Sequence, residues 1–342
     1  WENPYLSLNS SYEADTIRAL GRIIANGHLE KGEKPVHFCM DCRSALAEAE
    51  VEYKDKNSHS IDVKFKVSSK SIDSLCSSFQ ITGISEIYFV IWTTTPWTIP
   101  SNVAVCINEK IEYILVKGVN EHFIIAKDLL DACSERWGLK LKSLGSVFGK
   151  DLTDISMKHP IYPRESRLLH GDYVTTESGT GCVHTAPAHG LDDYFLCMKN
   201  GLEPVKALDN RGIFKEEYDR LSGLSTNKGD PIVIELLEEK GALLANKKFE
   251  HSYPHCWRHK SPVIFMSTPQ WFISMNKSGL VDGAVNAIQN VNWEPSWGEE
   301  RILSMLDDRP DWCISRQRNW GVPITLIIHN ETGEIHPKQN QL

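Results

Sequence analysis

The chain has 342 residues, of which 41% are hydrophobic and 24% charged, with a formal net charge of −8. That length accommodates two or three domains with ample core, and the composition is that of an ordinary soluble globular protein. No apolar run approaches a membrane span, and the acidic balance creates no global field that attracts nucleic acid. Any RNA contact must use local basic clusters such as Arg258-His259-Lys260 and Arg316/Arg318.

The start, WENPYLSLNSSYEAD, lacks the basic and apolar regions of a signal peptide, and the chain stops in HNETGEIHPKQNQL. A piece of a longer polypeptide is expected. Nine cysteines, odd in number and mostly scattered, indicate reduced thiols and a cytoplasmic location.

In chain order, Glu13 to His28 reads as an amphipathic helix, with Ile17, Leu20, Ile23 and Ile24 on one face and Gly27 at its end. KPVHFCMDCRSALAEAEVEY carries a C-x-x-C turn and leads toward a short Ala/Glu-rich helix. From Ile61 the period changes: IDVKFKV alternates like a half-buried strand, and Ile87–Trp92 is a continuous apolar run like a buried one. VAVCI, YILVK and HFIIA are further strands, so a β-rich, barrel-like domain is expected. SSKSIDSLCSS is the most loop-like stretch. Helices are expected over Lys127–Trp137, Asp192–Asn200 and Asp230–Lys240, the last with an Asp N-cap, Pro231 at its first position and Gly241 past its end. No internal repeat or low-complexity segment is visible.

Three constellations carry chemistry. Cys39-x-x-Cys42 and Cys256-x-x-His259 each place two metal ligands on one tight turn, and a structural zinc wants four such donors. A C-x-x-C pair also arises by chance, and Arg258 and Lys260 disfavour a cation; no thioredoxin-like pattern surrounds the pair to support a redox role. The second constellation is WTTTPWTIPSN, Trp92 to Asn102. Its hydroxyls on Thr93, Thr94, Thr95 and Thr98 and the amide of Asn102 suit a ligand with many hydroxyls and a carbonyl, such as a ribose ester. A Thr-rich strand edge is the plainer alternative.

The third is GTGCVHTAPAHGLDDY, Gly179 to Tyr194. It lacks the spacing of a helix-borne metal site and the G-x-S-x-G of a hydrolase elbow. Its glycines, Gly181 among them, permit close backbone approach to a ligand, and Asp192 and Asp193 fall where helix starts favour acids.

Taken together and in this order, these stretches resemble the isoleucyl-tRNA synthetases, class I aminoacyl-tRNA synthetases, in the large insertion that carries their editing domain. WTTTPWTIPSN is similar to the family's threonine-rich peptide and GTGCVHTAPAHGLDDY to its second editing motif. RPDWCISRQRNWGVPI resembles the return to the catalytic domain. KPVHFCMDCRSALAEAEVEY and HSYPHCWRHKSPVIF resemble the flanks of the insertion in bacterial members. The valyl and leucyl relatives carry Arg where this chain has Thr95, which favours the isoleucine assignment.

The resemblance covers essentially the whole chain. It implies an α/β (α+β) fold: a β-barrel-like editing domain with surrounding helices, flanked by a zinc-ribbon-like stalk and segments of the class I Rossmann catalytic domain. The implied partition is 1–34 connective, 35–52 first half of the stalk, 53–248 editing domain, 249–266 second half of the stalk, and 267–342 return segment. The implied activity is hydrolysis of mischarged Val-tRNA(Ile), in a monomer whose partner is the tRNA(Ile) 3′ end bearing a valine ester.

Asp193 would pair with the substrate's α-ammonium, and His184 would wall a pocket that admits valine but not isoleucine. Thr93, Thr94, Thr95, Thr98 and Asn102 would hold the terminal adenosine and ester carbonyl and position a water. Trp92 and Gly181 would contact the substrate, with Trp92 as a stacking surface or pocket wall. His189 and Asp192 would be structural. Structural zinc at Cys39, Cys42, Cys256 and His259 is a candidate cofactor on ligand spacing alone, since some family members lack these ligands and the resemblance is silent on zinc. ATP and Mg belong to the full-length parent, because the HIGH-like and KMSKS-like motifs are absent from these residues. A zinc-ribbon RNA-binding module without catalysis, or the editing domain of a valyl or leucyl enzyme, are the alternatives.

Overall fold

The longest strand, Val51–Val67 (β4), organises the larger of two compact units, Glu52–Ser267, in the computed structural model, which describes residue 2, residues 4–307 and residues 309–336. Around it lie Tyr88–Thr93 (β5), Ala104–Ile107 (β6), Glu112–Lys117 (β7), His122–Ala126 (β8), Lys142–Phe148 (β9), Ser156–Lys158 (β10), Glu165–His170 (β11), Val183–Thr185 (β12) and Leu243–Cys256 (β13). The hydrogen-bonded order is β12-β6-β11-β10-β4-β5-β8-β7-β9, with β13 pairing β4 as a branch. Most pairs are antiparallel; β11 with β6 and β5 with β8 run parallel. Pairing leaves β12 and β9 as the two ends of the path, so hydrogen bonds among the described residues do not close the expected barrel. A large mixed sheet takes its place.

The stretch Ile61–Val67 is not half-buried as its alternation suggests. Asp62 and Lys64 on the polar side are also enclosed, because Asp62 meets Arg136 and Lys64 meets Glu121 at 2.7 Å. Phe65, Phe89, Ile91, Ile99, Phe123 and Tyr113 are fully buried, each contributing roughly 1.5–3 kcal/mol of apolar burial.

Four helices accompany the sheet: Ser69–Ser78 (α2), Leu130–Trp137 (α3), Leu191–Lys199 (α4) and Thr226–Glu239 (α5). α2 occupies the serine-rich stretch that reads as a loop. Its Ile72, Leu75 and Cys76 fall at helical spacing and are buried, which outweighs the low helix preference of the serines. α3 and α4 end near Gly138 and Gly201, both at positive φ (66° and 67°). α5 begins a turn earlier than Asp230, because the Asp230 carboxylate is turned away to accept the Trp97 N–H at 2.9 Å. Asp230 and Pro231 therefore sit inside the helix. The unit closes with a strand at Ile264–Ser267 (β14).

The second unit contains residues 1–51 and 268–342. Its first helix is Ser10–Ala25 (α1), starting earlier than expected because the Asn9 side chain caps Ser11 N. Leu20, Ile23 and Ile24 pack toward Leu29, Ile273 and Met275. Leu29–Gly32 (β1), Gln270–Ile273 (β15) and Trp312–Cys313 (β16) form an antiparallel sheet in the order β1-β15-β16. Leu280–Gln289 (α6) and Trp297–Asp307 (α7) pack together. No parallel βαβ unit of a Rossmann domain occurs among the described residues. Pro35–Cys39 (β2) and Ser44–Ala45 (β3) make a hairpin. The Ala/Glu-rich helix expected after it is a single turn, Glu48–Glu50, before the chain extends into β4. The far ends of the expected 1–34 and 267–342 segments lie outside the described residues.

Candidate functional site

β5 delivers Trp92 and Thr93, and Pro96 then starts a short 3-10 helix, Pro96–Ser101, that is buried throughout. The threonines form a hydroxyl chain. Thr95 N donates to Thr93 Oγ1 at 3.1 Å, the two hydroxyls lie 3.1 Å apart, and Thr98 Oγ1 donates to Thr95 O at 2.8 Å. Thr94 is partly exposed beside them. Groups distant in sequence clamp this segment. Arg164 donates to Pro100 O and, at 3.1 Å, to Asn102 O; His159 Nε2 lies 2.9 Å from Ile99 O; Asp230 holds Trp97 N.

The second motif lies against the first through strand pairing. β12 is antiparallel to β6, placing His184 opposite Val105, and Val103 N donates to Thr185 O at 3.1 Å. His184 is buried between Thr98 Oγ1, 2.9 Å from Nε2, and Asn102 Nδ2, 2.8 Å from Nδ1.

The surrounding bonds assign its protons. Asn102 Nδ2 also donates to Ala104 O at 2.7 Å, and Asn102 Oδ1 accepts from Ser166 Oγ at 2.7 Å, so the amide can only donate to His184 Nδ1. Thr98 has given its own proton to Thr95 O, so His184 Nε2–H donates to it. Burial, with His189 and Arg164 nearby, pushes the imidazole down to about 3. It is a neutral ring with both nitrogens committed, which suits a wall and leaves neither nitrogen free to exchange a proton with a ligand. Asn102, fully buried, stands behind His184 and presents no group to a ligand. That differs from its expected place on the substrate, because all its polar atoms are used internally.

Asp193 occupies the first turn of α4. Its Oδ2 accepts Ala186 N at 2.8 Å, and its Oδ1 accepts the Tyr173 hydroxyl at 3.2 Å. Burial raises the carboxyl to about 6 despite these donors. Ala186 is two residues from His184, so the carboxylate and imidazole belong to one neighbourhood. Asp192 is exposed. His189 lies 2.9 Å from Phe265 O and 3.0 Å from Ser101 Oγ and stacks edge-on against Trp97 at 4.8 Å; burial lowers it to about 4.

Gly181 packs against β8. At φ 77°, an added Cβ would fall 2.3 Å from Ala126 Cβ, so the close approach that demands glycine is to β8. Trp92 donates to Ser60 Oγ at 2.6 Å. A buried pair braces the loop's start: Arg136 grips Asp62 with two nitrogens and donates to Gly179 O at 2.7 Å. Tyr173, Arg136, Arg164 and Asp230 are site-forming residues that sequence reading missed. Only Asp230 carried a signal, and it pointed to a helix cap.

The metal-ligand pairs are two turns, one in each unit. In the smaller unit Cys42 N donates to Cys39 Sγ at 3.3 Å, with Arg43 next at φ 52°. In the larger unit Cys256 Sγ and His259 Nδ1 are 3.9 Å apart, with Lys260 next at φ 58°. Each is a tight turn whose two donors point the same way, a separation that ligands of one tetrahedral ion can take. The two turns offer three cysteines and one histidine, the donor types that a structural zinc takes. An open cleft of about 980 Å³ between α6 and α7, flanked by Asp282, Glu299, Glu300 and Asp307, holds no such chemistry.

The family model for class I tRNA synthetases (I, L, M and V) matches residues 1–342. The isoleucine–tRNA ligase of Shewanella halifaxensis is 50% identical over 343 residues, covering 98% of this chain and 36% of its own length. That of Pasteurella multocida is 50% identical over 345 residues, covering 100% of this chain and 37% of its own. The chain thus spans little more than a third of the length of these curated relatives. Among solved structures, the editing domain of the Plasmodium falciparum cytosolic leucyl-tRNA synthetase aligns with 55% of this chain and 99% of its own, at 13% identity and a TM-score of 0.43. No helix among the described residues is long and apolar enough to cross a membrane.

Proposed function

The chain belongs to the class I tRNA synthetases, and on that premise we propose that its larger unit is an editing domain that hydrolyses mischarged Val-tRNA(Ile). The observation that carries this reading is the bond pair Thr98–His184–Asn102, which joins the two motifs into one polar centre beside a carboxylate.

An isoleucine pocket cannot exclude valine by size, and one methylene contributes only about 1–3 kcal/mol of discrimination in an apolar pocket. A second pocket, too small for isoleucine, removes the error. Asp193 pairs with the α-ammonium that every aminoacyl ester carries. His184, held rigid from both sides, is the wall that a longer side chain strikes. The hydroxyls of Thr93, Thr94 and Thr95 orient the ester and a water. The water adds to the ester carbonyl, the ribose oxygen departs, and the developing oxyanion is met by positioned donors. No Ser–His–Asp nucleophile is required, because the aminoacyl ester is already activated.

Residues 53–248 form the editing domain in this reading, with the tRNA(Ile) 3′ end as partner and the cytoplasm as location. The donor set of Cys39, Cys42, Cys256 and His259 fits structural zinc. ATP and Mg serve the parent's synthetic site. Release of valine from Val-tRNA(Ile) by the chain tests the proposal. A rate no faster than spontaneous hydrolysis refutes it and favours an RNA-binding module without catalysis.

A further inference from the structure

β4 and β13 form a two-stranded ribbon whose one face carries an aromatic row. Trp92 on β5 meets Phe249 at 5.6 Å between ring centroids, Phe249 meets His251 at 5.6 Å, and His251 meets Tyr253 at 5.5 Å. The rings on β13 stand at every second residue, so all share one face. On β4 the same face presents Lys56, Ser58 and Ser60. Lys56 Nζ sits 4.1 Å over the Tyr253 ring, Ser58 Oγ lies 3.0 Å from His251 Nε2, and Ser60 accepts from Trp92.

Alternation adds Lys54 on β4 and Lys247 on β13, both exposed. The acids on this face are already engaged: Glu52 pairs with Lys260 at 2.7 Å, Asp62 with Arg136, and Asp230 holds Trp97 N. The balance is positive in a chain whose net charge is −8. Phe249 is 40% exposed, a large ring left open to solvent among lysines. The row ends at Trp92, next to Thr93, and a Cβ on Gly179 would lie 3.5 Å from the same indole.

We infer that this ribbon face binds single-stranded RNA, the unpaired 3′ end of tRNA, and leads it to the threonine segment. Bases stack on Phe249 and Trp92 while Lys54, Lys56 and Lys247 meet the phosphates, the pairing of rings and cations that sequence-tolerant strand binding requires. The inference rests on the reading of the neighbouring centre as an aminoacyl-ester hydrolase.

The test uses the full chain and a fluorescent RNA oligonucleotide with the sequence of the tRNA 3′ end, read by anisotropy across a salt series. Phe249→Ala is expected to weaken binding by about fivefold or more with the salt slope unchanged, and Phe249→Tyr to restore it. The double variant Lys54→Ala/Lys247→Ala is expected to reduce the slope by about 1.4. In turnover, Phe249→Ala should lose at least about fivefold in kcat/KM on Val-tRNA(Ile) beyond any loss on 3′-valyl-adenosine, which lacks the strand. Wild-type affinity and slope in these variants overturn the docking surface and leave the hydrolase reading intact. A wild-type chain that binds the RNA with these dependences but hydrolyses neither ester sinks the hydrolase reading and leaves the surface standing.

Discussion

Asn102 donates to His184 Nδ1 at 2.8 Å, and that bond ties the last residue of one motif to the centre of the other across 82 positions of sequence. Because the same amide also serves Ala104 O and Ser166 Oγ, its orientation has no alternative. Asn102→Ala would strand His184 Nδ1 and Ser166 Oγ without partners in a buried place. A loss of about 2–6 kcal/mol is expected in denaturant unfolding, from two unsatisfied groups at about 1–3 kcal/mol each. A variant within about 0.5 kcal/mol of wild type would show that the amide does not hold the ring.

The Asp193 carboxyl, raised to about 6, sets a pH dependence. Pairing with an ammonium requires the ionised form, so hydrolysis of Val-tRNA(Ile) should fall as pH drops through about 6. Stability runs the other way for this group. Its folded form holds the proton more tightly than the unfolded chain, so its contribution declines as pH rises from about 4 through about 6, by on the order of 2 kcal/mol. His184 and His189, lowered to about 3 and about 4, lose stability as pH falls below the ordinary histidine range and oppose that slope. The difference between wild type and Asp193→Asn isolates the carboxyl. Parallel stability–pH curves for the two proteins would contradict its assignment.

Arg136 neutralises a carboxylate that is 1% exposed and anchors Gly179 O. Burial pushes the Asp62 carboxyl up even though Arg136 draws it down. Arg136→Met should therefore destabilise the larger unit by about 3–5 kcal/mol, as removal of one partner from a buried pair does. Asp62→Leu/Arg136→Met, which removes both charges, should recover part of that loss. Thermal unfolding of the two variants compares them, and a double variant no better than the single one would mean that the loop anchor matters more than the charge.

Much of this architecture was legible in the sequence. The apolar runs at β5 to β8 and the helices near α3 and α4 follow from local rules. The adjacency of the two motifs came from resemblance, since periodicity alone cannot bring residues 98 and 184 together. What stayed hidden has a common cause. The α2 helix is written in serines, and only burial of Ile72, Leu75 and Cys76 against the sheet reveals it. Asp230 reads as a cap because the N–H it serves, on Trp97, is 133 positions away. The close packing of Gly181 on Ala126, 55 positions earlier, leaves no local mark in the sequence. Tyr173 gives no signal, as its partner Asp193 lies beyond a loop.

His184 is the steric wall in this account, so shortening it should widen the pocket without removing the amine anchor. The most direct measurement is kcat/KM for hydrolysis of Val-tRNA(Ile) and Ile-tRNA(Ile) by wild type and His184→Ala, side by side. The account predicts strong preference for the valine ester in wild type and, in the variant, rapid attack on the isoleucine ester with preference lost. A variant that still spares Ile-tRNA(Ile) while hydrolysing the valine ester at the wild-type rate would contradict it.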